Sequence, residues 1–396
     1  MIGRLKKTVC LVFVFLMVFR NTVFAQDDGG SEKQGDDLNL QSPCALLMEA
    51  STGQIIYEKN ADEQRTPASV TKVMTLLLIF EAVHSGKINM KDMVTTSAHA
   101  KSMGGSQVFL EEGEQQTVET LIKCIVIASG NDAAVTMAEY IGGTEDGFVA
   151  MMNKRASELG MTHTHFVDCC GLTESKEHYT SAKDIAIMTR ELIQNYPEIF
   201  NYSKIWMEDI THVTNKGSSQ FTLTNTNKLL RQFEGCTGLK TGSTSIAKYC
   251  LSATASKNGI DMIAVILAAP DSKTRFAEAA SLLNYGYSRC SLYVDEMPES
   301  LLPVEVLKGV ETQIQPIYEK TFTYLSTTGE DFSQITKEIT MDSKIEAPFE
   351  KGTKIGIVRY KLGDKDIGSV NIVASASAAR AGFGDCIGKV MRIVFD

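Results

Sequence analysis

Strand-like segments lie only at the two ends of the stretch from about Ser42 to Cys290, and helical pattern fills the middle. "CALLMEASTGQIIYEKN" reads as two strands around the turn Ser51-Thr52-Gly53. "SQFTLTNTNKLL" and "KYCLSATASKNGIDMIAVILAA" read as later strands, the last a hairpin around Asn258-Gly259. A chain of this kind must bring its ends together to complete one sheet, with the helices packed against it. The apolar helix following Pro67 stops near Gly86, and "SKTRFAEAASLLNYGYSRC" reads as a closing helix. The fold class expected is therefore α/β (α+β).

After Cys290 the texture changes. Four of the eight prolines (Pro298, Pro303, Pro316, Pro348) fall there, among short alternating runs such as "LLPVEVLKG", so a small all-β sandwich domain is expected over 291–383. In the final segment, 384–396, Ile387, Val390, Met391 and Val394 would share one helix face. That segment offers a peripheral membrane contact, with packing on the β-domain as the alternative. At the other end, basic "MIGRLKK", apolar "TVCLVFVFLMVF" and a small residue before Gln26 spell a secretory signal peptide over 1–25, cleaved after Ala25. Residues 26–41 are polar, acidic and Gly-containing, as in a flexible linker.

Export has a charge consequence. Cleavage removes four of 39 basic residues and none of 48 acidic ones, moving the formal net charge from −9 to −13. With no Lys/Arg tract, nucleic acid is excluded as a partner. Nine cysteines lack any C-x-x-C spacing, and His163-Thr164-His165 has no acidic third ligand nearby, so no metal and no cofactor are implied.

The chemistry lies in "RTPASVTKVM". At i and i+3, Ser69 and Lys72 share one helix face. A helix N-terminus favours an alkoxide and later an oxyanion, and Pro67 and Ser69 suit a helix start. The lysine accepts the serine's proton only when neutral, so burial or a second cation must depress its pKa. Alone, Ser-x-x-Lys is weak: Ser245-Ile246-Ala247-Lys248 is a second instance. Two further motifs follow in order, Ser129-Gly130-Asn131 before a helix and Lys240-Thr241-Gly242 on a strand. Lys240 can supply the second cation, Ser129 a proton relay and Asn131 a hydrogen bond to Lys72 or a substrate amide. The Lys240–Ser243 strand can pair with an extended peptide, and backbone N–H groups of Ser69 and Ser243 can form an oxyanion hole.

These three motifs, with "GGSQVFLEEGEQQTVETLIKCIVIASGNDAAVTMAEYIGG", "HYTSAKDIAIMTREL" and "TRFAEAASLLNYGY", give the chain a close resemblance to the D-alanyl-D-alanine carboxypeptidases, low-molecular-mass penicillin-binding proteins of serine peptidase family S11. The resemblance covers about Ser42 to Ala379. It implies a serine β-lactamase/DD-peptidase-like catalytic domain over 42–290, followed by the β-domain. It implies Ser69 as acylated nucleophile, Lys72 as base, and Ser129 and Asn131 as the rest of the proton network. Lys240, Thr241, Gly242 and Ser243 would line the substrate strand, and Arg275 would stand near a terminal-carboxylate pocket. The substrate implied is a peptidoglycan stem peptide ending in D-Ala-D-Ala, outside the cytoplasm, with β-lactams as covalent inhibitors. Other readings stay open: a DD-endopeptidase or transpeptidase on the same fold, a class A-like β-lactamase, and an inactive muropeptide-binding protein. Against the β-lactamase, Glu174 in "GLTESKEH" lacks the neighbours of a deacylating glutamate. Departures from the family pattern are Ser243 where some members carry histidine, Thr226 where some carry arginine, and the cysteines 169, 170 and 236.

Overall fold

A computed structural model describes residues 38–385 and 387, apart from 216 and 297–299. The expected signal peptide, most of the linker and residues 388–396 lie outside the described residues. Among the described residues, no helix is long and apolar enough to cross a membrane.

The two ends of the catalytic segment do meet in one sheet. Strands β1 (Cys44–Glu49) and β2 (Ile55–Lys59) come from the start of the segment. A separate hairpin of β3 (Met207–Thr214) and β4 (Gly217–Thr224) precedes β5 (Cys236–Thr244), β6 (Lys248–Lys257) and β7 (Ile260–Ala269). The antiparallel sheet has the order β2-β1-β7-β6-β5. Asn258 and Gly259, at φ +54° and +74°, make the β6–β7 turn, a conformation that suits glycine and asparagine.

Strand β1 explains why the sheet is central. All six of its residues are buried. Leu46 and Met48, with Ile263 and Val265 of β7, face the main helical core. Leu47 and Met262 lie instead against Gly286 of the closing helix, which spans Ser272–Arg289. The uninterrupted apolar run is thus a strand covered on both faces. In the helical layer are α1 (Lys72–His84), α2 (Val118–Val126), α3 (Asn131–Gly142), α4 (Glu145–Glu158) and α5 (Ala182–Asn195); the closing helix is α6. Every residue of α1 from Lys72 to Phe80 is buried, so this helix is apolar all round and runs through the core.

The structure corrects one local expectation. Ser69, expected at the helix start, lies before α1. It sits in a 3-10 turn, Ala68–Thr71, and α1 begins at Lys72 with no side-chain cap. The chain before Ser42 is also tied down. Leu40 is buried, and the Glu278 carboxylate on α6 accepts N–H bonds from Gln41 (2.5 Å) and Ser42 (3.2 and 3.3 Å). Glu278→Gln is expected to cost about 1–2 kcal/mol in urea unfolding, because a charge-assisted acceptor is lost. The catalytic rate of the folded enzyme should not change, since α6 lies on the sheet face away from the helical core.

The C-terminal region is all β. Pro316–Tyr318, Lys365–Ala374, Lys354–Leu362 and Ile335–Met341 form one sheet, and Gln313–Ile314, Val304–Leu307 and Lys344–Glu346 another. Their buried faces build cores around Ile355, Ile372 and Phe349, and around Val358, Tyr360 and Phe322. Asp295 ties this domain together: its carboxylate accepts from the Tyr360 hydroxyl and the Lys337 ammonium, both at 2.7 Å. The seven cysteines among the described residues are free thiols.

Candidate active site

The site forms where the Ala68–Thr71 turn, the loop before α3 and strand β5 converge. Lys72 Nζ donates to Ser69 Oγ at 2.9 Å, to Asn131 Oδ1 at 2.5 Å and to the Cys170 carbonyl at 2.9 Å. Lys240 Nζ donates to Ser129 Oγ at 2.8 Å and to its neighbour's carbonyl, Thr241 O, at 3.0 Å. Both lysines are fully buried, and Ser129 and Asn131 nearly so. Asn131 thus joins the first motif to the second, and Ser129 joins the second to the third.

Each placement has a local cause. Asn131 starts α3, and its side-chain amide also donates to Gly104 O at 2.7 Å, so the amide cannot rotate away from Lys72. Ser129 takes a left-handed backbone (φ +63°) immediately before Gly130, which turns its hydroxyl toward Lys240. Asp132, next to Asn131, accepts the N–H groups of Val108 and Leu110 and binds the 104–110 loop to the start of α3. Gly242 lets β5 touch the nucleophile turn. A Cβ there would stand 2.7 Å from Pro67 O and 2.9 Å from the amide nitrogens of Ser69 and Val70.

Sequence reasoning did not identify the third partner of Lys72. The Cys170 carbonyl is presented by the loop 168–173, organised by Asp168: Oδ1 accepts from Cys170 N (2.8 Å) and Gly171 N, and Oδ2 from Thr173 N (2.8 Å). An aspartate followed by small residues and a glycine is a turn signal that could have marked this loop. The Cys169 and Cys170 thiols are buried, and burial raises the Cys169 pKa well above an ordinary thiol's, so this loop serves Lys72 through its backbone.

Burial is the main cause of the lowered pKa of Lys72, and nearby Cys170, Cys169, Asp168 and Asp132 oppose it. Lys240 is lowered further, by burial first and then by the charges of Lys72 and Arg275. The two ammonium groups repel one another, so the second cation the sequence pointed to is present beside Lys72.

The remaining candidates fall around this centre. Thr241 Oγ1 donates to Thr226 Oγ1 at 2.7 Å, joining β5 to the segment that follows β4. Ser243 is exposed at the outer end of β5. Arg275 lies behind the strand. Its Nη1 donates to Gly242 O at 3.0 Å and Cys250 O at 3.1 Å, and burial lowers its pKa to about 10. In this structure its guanidinium braces the β5–β6 pair. Among the described residues no cluster of His, Cys, Asp or Glu side chains is placed to hold a metal ion.

Comparison with known proteins decides the family. Residues 31–271 match the family model for D-alanyl-D-alanine carboxypeptidase, Peptidase_S11, and residues 298–380 match the C-terminal domain of penicillin-binding protein 5. The chain belongs to the D-alanyl-D-alanine carboxypeptidase family. It is 40% identical over 374 residues to the D-alanyl-D-alanine carboxypeptidase DacF of Bacillus subtilis, covering 94% of each chain. It is 32% identical over 351 residues to DacA of Haemophilus influenzae, covering 85% of each. Among solved structures, penicillin-binding protein 5 from Haemophilus influenzae superposes with a TM-score of 0.70 at 30% identity, over 86% of this chain and 98% of that one. The family fold is thus a mixed α/β catalytic domain followed by a β-domain, as the sequence pattern indicated.

Proposed function

We propose that this carboxypeptidase-family member cuts the bond between the last two D-alanines of a peptidoglycan stem peptide through an acyl-enzyme on Ser69. One observation carries the assignment: Ser69 Oγ lies 2.9 Å from Lys72 Nζ while the second lysine, Lys240, holds Ser129 Oγ at 2.8 Å. Ser69 attacks the penultimate carbonyl carbon, and its proton passes to neutral Lys72. The carbonyl oxygen becomes an oxyanion facing the N–H groups of Ser69 and Ser243. As the C–N bond breaks, the proton taken up by Lys72 goes to the leaving amine of D-alanine, with Ser129, held by Lys240, as relay. Water then attacks the acyl carbon, the network takes its proton, and Ser69 is restored. Lys240, Thr241 and Gly242 line the strand along which the peptide lies, and Asn131 fixes Lys72. Arg275 acts on substrate through the β5 backbone it braces. Penicillins acylate the same serine. The site faces the extracytoplasmic space where peptidoglycan lies, and residues 1–25 are read as the export signal, with 42–290 catalytic and 291–383 the β-domain.

The test is to incubate the purified enzyme with a synthetic peptide ending in D-Ala-D-Ala, with and without an amine acceptor. Free D-alanine and a peptide shortened by one residue are expected in both. No D-alanine, or a product joined to the acceptor amine in place of the shortened peptide, would overturn the hydrolytic reading.

Gly242→Ala tests the closeness of β5 to the nucleophile turn. The three atoms its Cβ would meet are all backbone, so strand or turn must shift by several tenths of an ångström. A displacement of about 1 Å at a reacting centre costs on the order of 10²-fold. The rate of labelling by a fluorescent penicillin should fall about that much, with the thermal unfolding midpoint shifted by only a few degrees.

A further inference from the structure

Ala68, the residue before Ser69, is buried and holds a left-handed backbone at φ +49° without being glycine. Such a conformation persists only where its surroundings impose it. Two contacts meet at its carbonyl. On one side the chain passes so close that a Cβ on Gly171 would lie 1.9 Å from Ala68 O. On the other, Thr71 Oγ1 donates to Ala68 O at 2.8 Å.

The Thr71 hydroxyl is itself oriented. His178, fully buried, has Nε2 2.8 Å from Thr71 Oγ1, and its Nδ1 accepts the N–H of Val167 at 3.1 Å. An Nδ1 that accepts carries no proton, so Nε2 carries it and donates to Thr71. Thr71 then has one proton and one matching acceptor, Ala68 O. Burial lowers the His178 pKa, with Asp168 opposing, which favours this neutral form. The Phe166 ring meets the imidazole edge-on at 5.8 Å and fixes its plane.

The histidine reaches this place through a strap. Thr180 and Arg65 exchange backbone hydrogen bonds at 2.7 and 2.9 Å, and His165 and Tyr179 pair likewise at 2.9 and 3.0 Å. The strap thereby grips the chain at Arg65 before the nucleophile turn and, through His178, at Thr71 within it.

We propose that His178 is a positioning residue for Ser69, acting through a directed relay Val167 N–H to His178 to Thr71 to Ala68 O that holds the nucleophile turn in its reactive shape. The proposal rests on the acyl-serine reading above. It assigns His178 no contact with substrate and no share in proton transfer.

The test measures penicillin acylation per active site, with the active fraction titrated first, so that loss of folded protein does not count. In His178→Ala and Thr71→Val the acylation rate constant should fall on the order of 10–100-fold, while the apparent binding constant for the intact penicillin moves less than threefold. Combining the two should cost little more than either alone, because both cut one relay. Thr71→Ser, which keeps the hydroxyl, should retain most of the rate. His178→Gln, which can still donate to Thr71, should recover more of it than His178→Asn. If His178→Ala does not fold, Thr71→Val against Thr71→Ser decides alone. Unchanged rate constants per titrated site, or independent losses that multiply in the double variant, would overturn the relay. A wild type that takes up no penicillin would instead overturn the acyl-serine reading itself.

Discussion

Ser69→Ala should release no measurable D-alanine from a peptide ending in D-Ala-D-Ala and should form no penicillin adduct, while folding like the wild type. The hydroxyl is the only group removed, and among the described residues it accepts one hydrogen bond, from Lys72 at 2.9 Å. Lys72 keeps Asn131 Oδ1 and the Cys170 carbonyl as partners, so the network should survive without the serine. Deleting a nucleophile that works as one unit with its base costs on the order of 10⁵–10⁶-fold in turnover. Stability should change by less than about 1 kcal/mol, since a small hydroxyl gives way to a methyl-sized side chain. A Ser69→Ala enzyme retaining a tenth of the activity would place the nucleophile elsewhere.

Lys72→Met carries the second large effect. Methionine is close in length and volume, neutral, and unable to take a proton. Loss of a positioned base costs about 10²–10⁴-fold, so acylation should fall by that much. The pH dependence distinguishes a base from a structural cation. Lys72 must be unprotonated to act, and burial has lowered its pKa. Activity should therefore rise with pH and level off below the range in which an exposed lysine titrates. The acid limb of kcat/KM should vanish in Lys72→Met if that limb reports Lys72. Because Lys240 is lowered as well and the two charges repel, the limb belongs to the pair, and Lys240→Met should move it to higher pH by removing one source of repulsion. A limb unchanged in both variants would mean that neither lysine titrates in the rate-determining step.

These effects concern a site whose components were legible in the sequence and whose arrangement was not. The hairpin at Asn258-Gly259 could be read because its turn chemistry is local, and β1 because an uninterrupted apolar run allows few placements. The three motifs name side chains, so the partners Ser69, Lys72, Ser129, Asn131 and Lys240 could be proposed together. What could not be read is set by chain segments far apart in sequence. A 3-10 turn at Ala68–Thr71 stands where a helix start was expected, and Gly171, about a hundred residues later, packs against its Ala68 carbonyl. The third ligand of Lys72 is a backbone carbonyl, which leaves no mark in residue type. For Arg275 the resemblance implied a place near a terminal-carboxylate pocket, and only the packing shows that backbone carbonyls of β5 and β6 take up its Nη1. The weight of burial in lowering both lysines was not legible either: only the tertiary structure shows that Lys240 is as deeply buried as Lys72.

Every step of the proposed reaction passes through covalent acylation of Ser69. The most direct measurement is peptide mapping by mass spectrometry after brief exposure of the folded enzyme to benzylpenicillin. One penicilloyl group on the peptide that contains Ser69, lasting minutes or longer and missing in Ser69→Ala, is the predicted result. An adduct on another peptide, or folded enzyme that neither retains nor turns over penicillin, would contradict it.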